Sequence, residues 1–382
     1  MHNRANGKRS VEPKTIALLG PAHSIHTIRW ANGLARRGLQ VHLISLTRQD
    51  EAYDPAVTVH RLPGGAPYGY VLAARALRAL LRRLRPDVLN AHYATGYGLL
   101  ARLGAFSPTL LSAWGSDIYS FPDKSRLHAY VLRRNLDSAT AVAVTGHAML
   151  VQAQRYTRKP IFITPFGVDT ALFAPKPGSA HRDEPIVIGT VKALETTYGI
   201  DTLLQAFGCL RSGLAAAQPG IARRLRLRIY GSGTQAGALL ALARQLGIGD
   251  CTEFNGHIPH DQVPAALHGL DIYVALSRMD SFGVAILEAS ACGLPVVVSD
   301  ADGPAEVVQH GATGYVVPRE DADAAAAKLR ELVLDPAQRL RMGTAGRERV
   351  LGLYSWQSSL DSMLDAYSRT LGQSQMTEAS RP

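Results

Sequence analysis

A chain of 382 residues, 46% of them hydrophobic and 19% charged, is too long for one ordinary core and too apolar for a disordered protein, so we expect two folded domains. Its three cysteines are scattered without ligand-like spacing, which argues against a zinc site and favours a reducing compartment. The formal net charge of +10 is uneven: residues 1–180 hold 23 Lys and Arg against 9 Asp and Glu, and the remainder holds 18 against 22. Neither a signal peptide nor a membrane span is apparent, so the sequence predicts a cytoplasmic protein.

The first half of the chain alternates predicted strands with helices. Residues 15–19 and 41–46 are predicted strands around a helix that Gly38 ends, which is a βαβ unit. The loop after the first strand lacks the G-x-G-x-x-G pattern, which counts against a nicotinamide dehydrogenase. Polar or Gly-rich segments follow the next strand ends, where ligands bind in open α/β sheets. Those strands are predicted at 87–91, 109–112, 139–144 and 161–164.

Residues 70–85 predict a basic amphipathic helix, with leucines along one side and Arg75, Arg78, Arg82 and Arg85 along another. Such a helix could rest on anionic lipid headgroups, or it could pack on a core with a solvated arginine face. The excess positive charge of the first half could also face a phosphorylated substrate. Nucleic acid is the least favoured partner, because the basic residues lack interleaved aromatic residues or a known binding motif.

The second half begins after a Pro-, Gly- and charge-rich stretch at 174–185, which we interpret as a hinge between domains. Strands are predicted at 186–191, 225–230, 252–254 and 271–276, with Gly231, Gly233 and Gly256 just beyond two of them. A closing amphipathic helix is predicted to end at residue 371, and residues 372–382 are expected to be disordered.

Residues 277–300 form the segment with the most chemical information. A helix opened by Ser281 and Gly283 and running to about Ala291 would present unpaired backbone amides and a positive dipole end, which suit a phosphate. Asp280 precedes this helix and Glu288 lies two turns later; ionised carboxylates accept strong hydrogen bonds from sugar hydroxyls. An ordinary capped helix would also explain these residues when they are considered alone.

The same segment resembles family 4 of the GT-B glycosyltransferases. Asp280-Ser281-Phe282-Gly283, Glu288-Ala289 and Gly293-Leu294-Pro295-Val296-Val297 are similar to the carboxylate-x7-carboxylate motif of that family. Supporting matches in the expected order are Pro165-Phe166-Gly167-Val168-Asp169, Tyr198-Gly199-Ile200-Asp201 and Tyr230-Gly231-Ser232-Gly233.

The resemblance covers nearly the whole chain and implies an α/β protein of the GT-B fold, with two Rossmann-like doubly wound domains facing a central cleft. It implies an acceptor-side domain at 1–174, a nucleotide-sugar donor domain at 175–352 and a helix at 353–371 that crosses back to the first domain. Glu288 would bind the ribose hydroxyls of the donor, and Asp280 would bind hydroxyls of the transferred sugar. Further donor contacts are expected from Ser281, Phe282, Gly283, Val284, Gly231, Gly233 and Gly256.

Three departures from the family pattern change the expected roles. The first acid is Asp280 where the family usually has Glu, and Thr197 and Tyr198 stand where a basic residue commonly holds the diphosphate. Lys192 is our preferred substitute for that cation, and Arg278 is the second candidate. Trp114 occupies a position where the family often has His, so His92 and Asp117 become candidates for contacts with the acceptor or the reacting sugar.

The sequence therefore predicts a retaining enzyme that uses a nucleotide sugar, with UDP as the expected carrier, and needs neither metal nor cofactor. The expected partners are the donor, a glycan or lipid-linked acceptor of cell-surface polysaccharide or lipopolysaccharide synthesis, and the inner face of an anionic membrane. Transfer of a hexosyl or N-acetylhexosaminyl group is expected. The alternatives are a nucleotide-sugar epimerase or hydrolase of the same fold, because fold does not determine reaction, or a catalytically silent sugar-nucleotide-binding protein.

Overall fold

The computed structural model describes residues 12–48, 53–64, 69–176 and 185–379. These residues form two compact units. The first unit extends to Pro165 and resumes at Ser359, and the second unit is Phe166–Ser358.

The first unit contains a seven-stranded sheet in which neighbouring strands are parallel, in the order β3-β2-β1-β4-β5-β6-β7. All residues of the fourth and fifth strands are buried, as expected for parallel strands covered by helices on both faces. The strand order reverses between β1 and β4, which creates a crevice at their carboxyl ends. The strands are β1 Thr15–Leu19, β2 Gln40–Ser45, β3 Val57–Arg61, β4 Val88–His92, β5 Thr109–Ser112, β6 Ala141–Val144 and β7 Ile161–Ile163.

Helices of the first unit pack leucine and alanine side chains onto this sheet; Leu77 and Leu100, for example, are fully buried in the same core as Leu19. The helices are α1 Ile25–Arg36, α2 Gly69–Leu72, α3 Ala74–Leu84, α4 Gly96–Gly104, α5 Ser116–Tyr119, α6 Arg126–Ser138 and α7 His147–Ala153.

The second unit repeats this architecture with a six-stranded parallel sheet in the order β10-β9-β8-β11-β12-β13. Its order reverses between β8 and β11, so a second crevice lies at the carboxyl ends of those two strands. The strands are β8 Ile186–Val191, β9 Leu225–Tyr230, β10 Thr252–Phe254, β11 Ile272–Ala275, β12 Val296–Ser299 and β13 Gly314–Val317.

The core of the second unit is formed by the sheet and its covering helices, with Leu204, Phe207 and Leu329 fully buried against it. The helices are α8 Ile200–Ala217, α9 Pro219–Arg224, α10 Ala236–Gln245, α11 Val263–Leu267, α12 Val284–Ala291, α13 Asp302–Val307, α14 Ala322–Leu334, α15 Pro336–Leu353 and, returning to the first unit from Ser359 onward, α16 Trp356–Ala379. Short 3-10 helices lie at Pro122–Lys124, Thr196–Tyr198, Gly249–Cys251 and His260–Gln262.

The boundary between the units lies after Pro165, earlier than the break predicted after residue 174. Long-range contacts explain the difference. The Phe166 ring packs against the Phe282 ring with centroids 6.0 Å apart, and the Val168 amide donates to the Tyr354 carbonyl at 2.8 Å. The segment from Phe166 therefore belongs to the second unit. Of the predicted hinge at 174–185, residues 177–184 lie outside the described residues.

The closing helix α16 is longer than predicted. The expectation of disorder from residue 372 is wrong for residues 372–379, which are helical, and residues 380–382 lie outside the described residues. Ser374 is 9% exposed, and its hydroxyl oxygen lies 3.5 Å from that of Ser107. The helix thus continues to pack on the first unit beyond the last apolar position of the predicted helix.

The basic helix predicted at 70–85 is two helices, α2 and α3, separated at Ala73, and the chain turns into a left-handed conformation at Arg85 (φ 47°). The expected division of faces is present in α3, where Leu77 and Leu81 are buried while Arg75 and Arg82 are exposed. No helix in the described part of the chain is both long enough and apolar enough to span a bilayer.

Candidate functional site

The two loops with the most candidate residues leave neighbouring strands at the point where the second sheet reverses its order. Lys192 directly follows β8, and residues 276–283 follow β11. Because β8 continues to β9 on one side and β11 continues to β12 on the other, the two loops diverge and leave a crevice between them. The topology therefore brings together residues far apart in the chain.

A close ion pair lies in this crevice. The Lys192 Nζ atom is 2.6 Å from Asp280 Oδ2, and each side chain is only 12% exposed. Burial is the largest single influence and lowers the pKa of Lys192, but the charge and hydrogen bond of Asp280, together with Tyr273 and Tyr198, outweigh it and raise the pKa above its ordinary value. The Lys192 Nζ atom also lies 4.7 Å from the centre of the Tyr198 ring. Lys192 is therefore a cation. Tyr198, which stands where the family pattern commonly has a basic residue, presents its ring face to that cation.

Asp280 is held by its own loop. Its Oδ1 atom accepts a hydrogen bond from the Phe282 backbone N–H at 3.3 Å, and its backbone carbonyl accepts one from the Gly303 N–H at 3.0 Å. A β-carbon on Gly303 would overlap the backbone of Phe282. The start of α13 therefore lies tightly against this loop, and this contact limits where the carboxylate can move.

Glu288 lies in α12 and is 5% exposed. Its Oε1 atom is 2.9 Å from His260 Nε2, and the His260 ring packs edge to face on Phe173, with centroids 5.4 Å apart. Sequence reasoning missed His260, because a histidine in a surface loop carries no pattern that links it to a carboxylate 28 residues later.

The amino end of α12 is built differently from the prediction that Ser281 and Gly283 open the helix. The helix begins at Val284, and Gly283 precedes it in a left-handed conformation (φ 94°) that favours glycine. Phe282 is 2% exposed and its ring contacts Phe166 and Tyr354. The Phe282 side chain is thus part of the core, so Phe282 itself can offer a phosphate only its backbone.

The glycines after β9 and β10 bring three loops together. The Gly231 N–H donates to the Gly256 carbonyl at 2.7 Å, and the Lys192 N–H donates to the Tyr230 carbonyl at 3.0 Å. A β-carbon on Gly231 or Gly233 would overlap the backbone carbonyl of Lys192 or Leu194, respectively. These glycines are therefore needed for the close approach that places Lys192. Direct contact of Gly231, Gly233 and Gly256 with a donor stays a prediction.

We expect Gly231→Ala to destabilise the fold by about 2 kcal/mol or more, because the added β-carbon meets a backbone atom and the residue has φ 149°. Gly237→Ala is the matched control: it lies in α10, no atom lies within 4 Å of its added β-carbon, and it should stabilise the helix by up to about 1 kcal/mol. Urea unfolding measures both. Equal unfolding free energies for the two variants would contradict this account.

Arg278 has a role within the protein. Its guanidinium donates to both carboxylate oxygens of Asp201 at 2.9 and 2.7 Å, to Glu320 Oε1 at 2.7 Å and to the Thr196 carbonyl at 2.7 Å. The hydrogen bonds from Arg278 lower the pKa of Asp201. All three guanidinium nitrogens are thus engaged, and Arg278 ties the loop after β11 to the start of α8. Lys192 remains the better candidate for a phosphate contact.

His92 and Asp117 belong to the first unit and are both buried, at 0% and 1% exposed. Burial, with a smaller effect of the nearby His26, lowers the pKa of His92 to about 3, so its ring is neutral; it lies 4.4 Å from the Trp114 ring. Asp117 accepts hydrogen bonds from the backbone N–H groups of Ala94, Trp114 and Gly115. Asp117 therefore holds the loops after β4 and β5 together, and a contact of His92 or Asp117 with the acceptor or the reacting sugar stays a prediction.

Comparison with known proteins identifies relatives for both halves of the chain. A family model described as "Glycosyl transferases group 1" matches residues 175–349, and one described as "Glycosyl transferase 4-like" matches residues 15–146. The chain is 32% identical over 300 residues to the glycogen synthase of Mycobacterium tuberculosis. That match covers 75% of this chain and 69% of the synthase.

A second relative is the GDP-mannose-dependent alpha-(1-6)-phosphatidylinositol monomannoside mannosyltransferase of Mycolicibacterium smegmatis, 33% identical over 209 residues. That match covers 51% of this chain and spans about half, 52%, of the enzyme. Among solved structures, an Anabaena protein in complex with UDP and glucose has a TM-score of 0.73 at 17% identity, and the match covers 93% of this chain and 100% of that one. The last comparison shows the fold.

Proposed function

This chain belongs to family 4 of the GT-B glycosyltransferases, and from that premise we propose that its second unit binds a nucleotide sugar whose glycosyl group the protein transfers with retention of anomeric configuration. The acceptor is a glycan or a lipid-linked saccharide of cell-surface polysaccharide or lipopolysaccharide synthesis, and the protein acts in the cytoplasm.

The observation that carries this proposal is the contact between Lys192 and Asp280. A cation suited to a phosphate and a carboxylate suited to sugar hydroxyls lie 2.6 Å apart, so the groups that they bind must be adjacent in the ligand. In a nucleotide sugar the diphosphate and the glycosyl ring are adjacent in this way. Glu288, also at this crevice, supplies the second hydroxyl acceptor, for the ribose.

The chemistry requires that negative charge on the departing diphosphate be stabilised. We expect Lys192 and backbone amides at the start of α12 to supply that stabilisation. Transfer then follows a front-face course through an oxocarbenium-like state, in which a departing phosphate oxygen takes the proton of the acceptor hydroxyl. The proposal includes no metal ion, and unchanged turnover in EDTA is the expected result.

The donor is expected to carry UDP and a hexose or N-acetylhexosamine, with GDP-mannose as the rival, because the name of one relative specifies GDP-mannose. A thermal-shift panel of UDP, GDP and their sugar conjugates tests this. A ligand at 100 times its dissociation constant should stabilise the protein by about 2.7 kcal/mol. Absence of a shift with every nucleotide would overturn the proposed function, and a product assay with and without acceptor separates transfer from hydrolysis or epimerisation.

The exposed arginines of α3 support a proposed contact with anionic lipid at the inner face of the membrane. We expect Arg75→Gln combined with Arg82→Gln to weaken co-sedimentation with phosphatidylserine vesicles, because each arginine near such a surface is worth about 1 kcal/mol. Arg223→Gln combined with Arg244→Gln, which removes the same charge from exposed positions of the second unit, is the control. Binding that ignores both anionic lipid and the α3 substitutions would contradict this contact.

A further inference from the structure

His260 contacts Glu288, and the proposed chemistry gives Glu288 a role but none to His260. The Glu288 side chain is 7% exposed and the His260 side chain 43% exposed, so the pair runs from the interior of the second unit to its surface. Only Oε1 of Glu288 is within 2.9 Å of His260 Nε2. A carboxylate accepts through two oxygens, and this arrangement constrains one of them.

The ring of His260 is itself held in place. His260 begins a 3-10 helix, His260–Gln262, that leads into α11, and its ring packs on Phe173. Phe173 is fully buried, its N–H donates to the Asp169 carbonyl at 2.8 Å, and its carbonyl accepts from Arg347 at 3.2 Å. His260 therefore contacts Glu288 from a rigid support.

The contact has a defined chemistry. For Nε2 to donate to a carboxylate oxygen, the proton must be on Nε2, in either the neutral ring or the imidazolium. That donation stops rotation of the carboxylate about its last bond and fixes the direction of the remaining lone pairs. A vicinal diol needs two acceptor directions at a set angle, so a carboxylate held in this way is prepared for a ribose before the nucleotide arrives.

We propose that His260 is a positioning residue for the donor ribose, acting through Glu288, and that it makes the site select a ribonucleotide over its 2′-deoxy analogue. This inference rests on the proposed function, because it takes Glu288 as the ribose acceptor. The alternative is that His260 serves only to pack against Phe173. The two differ in the bond that each requires: the hydrogen bond to Glu288 or the ring contact to Phe173.

The experiment measures the dissociation constants of UDP, GDP and their 2′-deoxy forms for the full chain by calorimetry. His260→Phe keeps the ring contact and removes the donor, and His260→Gln restores an N–H at a similar reach. His257→Phe, at an exposed histidine of the same loop, is the matched control. We expect His260→Phe to weaken binding of the ribonucleotide about tenfold, the scale of one hydrogen bond to a charged group, and to leave the 2′-deoxy form little changed.

The ribo-to-deoxy ratio is the informative quantity. It should fall toward one in His260→Phe, recover to within about threefold in His260→Gln, and stay at the wild-type value in His257→Phe. A wild-type ratio in His260→Phe overturns the inference, and so does an equal loss for both forms with a lower melting temperature, since that result indicates packing alone. If the wild-type protein binds neither UDP nor GDP, the proposed function and this inference both fail. If the wild-type protein binds a ribonucleotide and His260→Phe keeps the wild-type ratio, only this inference fails.

Discussion

We expect Glu288→Gln to lower kcat/KM for sugar transfer by about a thousandfold, because a site built to accept hydrogen bonds from hydroxyls loses them when a donor amide replaces one oxygen. The substitution keeps the size of a side chain that is only 7% exposed. It also removes a buried charge, and a neutral group of the same shape costs less to bury. We therefore expect the melting temperature to stay within a few degrees of wild type, that is, within about 1 kcal/mol.

Two measurements together test this prediction: steady-state kinetics with the donor found in the thermal-shift panel, and thermal unfolding of the same preparations. Glu348→Gln, an exposed carboxylate of α15 in the same unit, is the matched control and should transfer at the wild-type rate. If Glu288→Gln retains more than about a tenth of the wild-type kcat/KM, Glu288 does not bind the donor in the assigned way.

Lys192→Met separates a stability effect from a catalytic one. The substitution leaves Asp280 only 12% exposed and without its cation, so we expect a loss of about 2 kcal/mol in the free energy of unfolding, below the 3 to 5 typical of a fully buried pair. We expect kcat to fall by about 100-fold to 1000-fold, the cost of removing one charge-stabilising donor from a transition state. Asp280→Asn should destabilise the protein for the complementary reason.

The double variant decides between the two effects. Lys192→Met with Asp280→Asn contains no unpaired charge, so most of the lost stability should return, whereas transfer should not. Urea unfolding and single-turnover kinetics are measured on the wild type, the two single variants and the double variant, which together form a double-mutant cycle. Recovery of transfer along with stability would show that the pair only supports the fold, and it would remove Lys192 and Asp280 from the proposed chemistry.

The residues of the chain, considered without the structure, determined the local elements. Strands β1, β5, β8, β9 and β10 begin and end at the predicted residues, and α12 ends at the predicted Ala291. These boundaries depend on neighbours a few residues away, so the pattern contains them. The two acids are predicted in the same way, because the family motif is a short spacing, whereas Lys192 is predicted as the nearest cation where the usual basic residue is missing; their roles stay predictions.

Only the tertiary structure decided what each side chain contacts. Lys192 meets Asp280 across 88 positions of the chain, Arg278 meets Asp201 across 77, and His260 meets Glu288 across 28. The unit boundary at Pro165 and the burial of Asp117 depend on contacts of the same long-range kind. No periodicity contains such pairings, because they arise where the folded sheet brings loops and helices from distant parts of the chain close together.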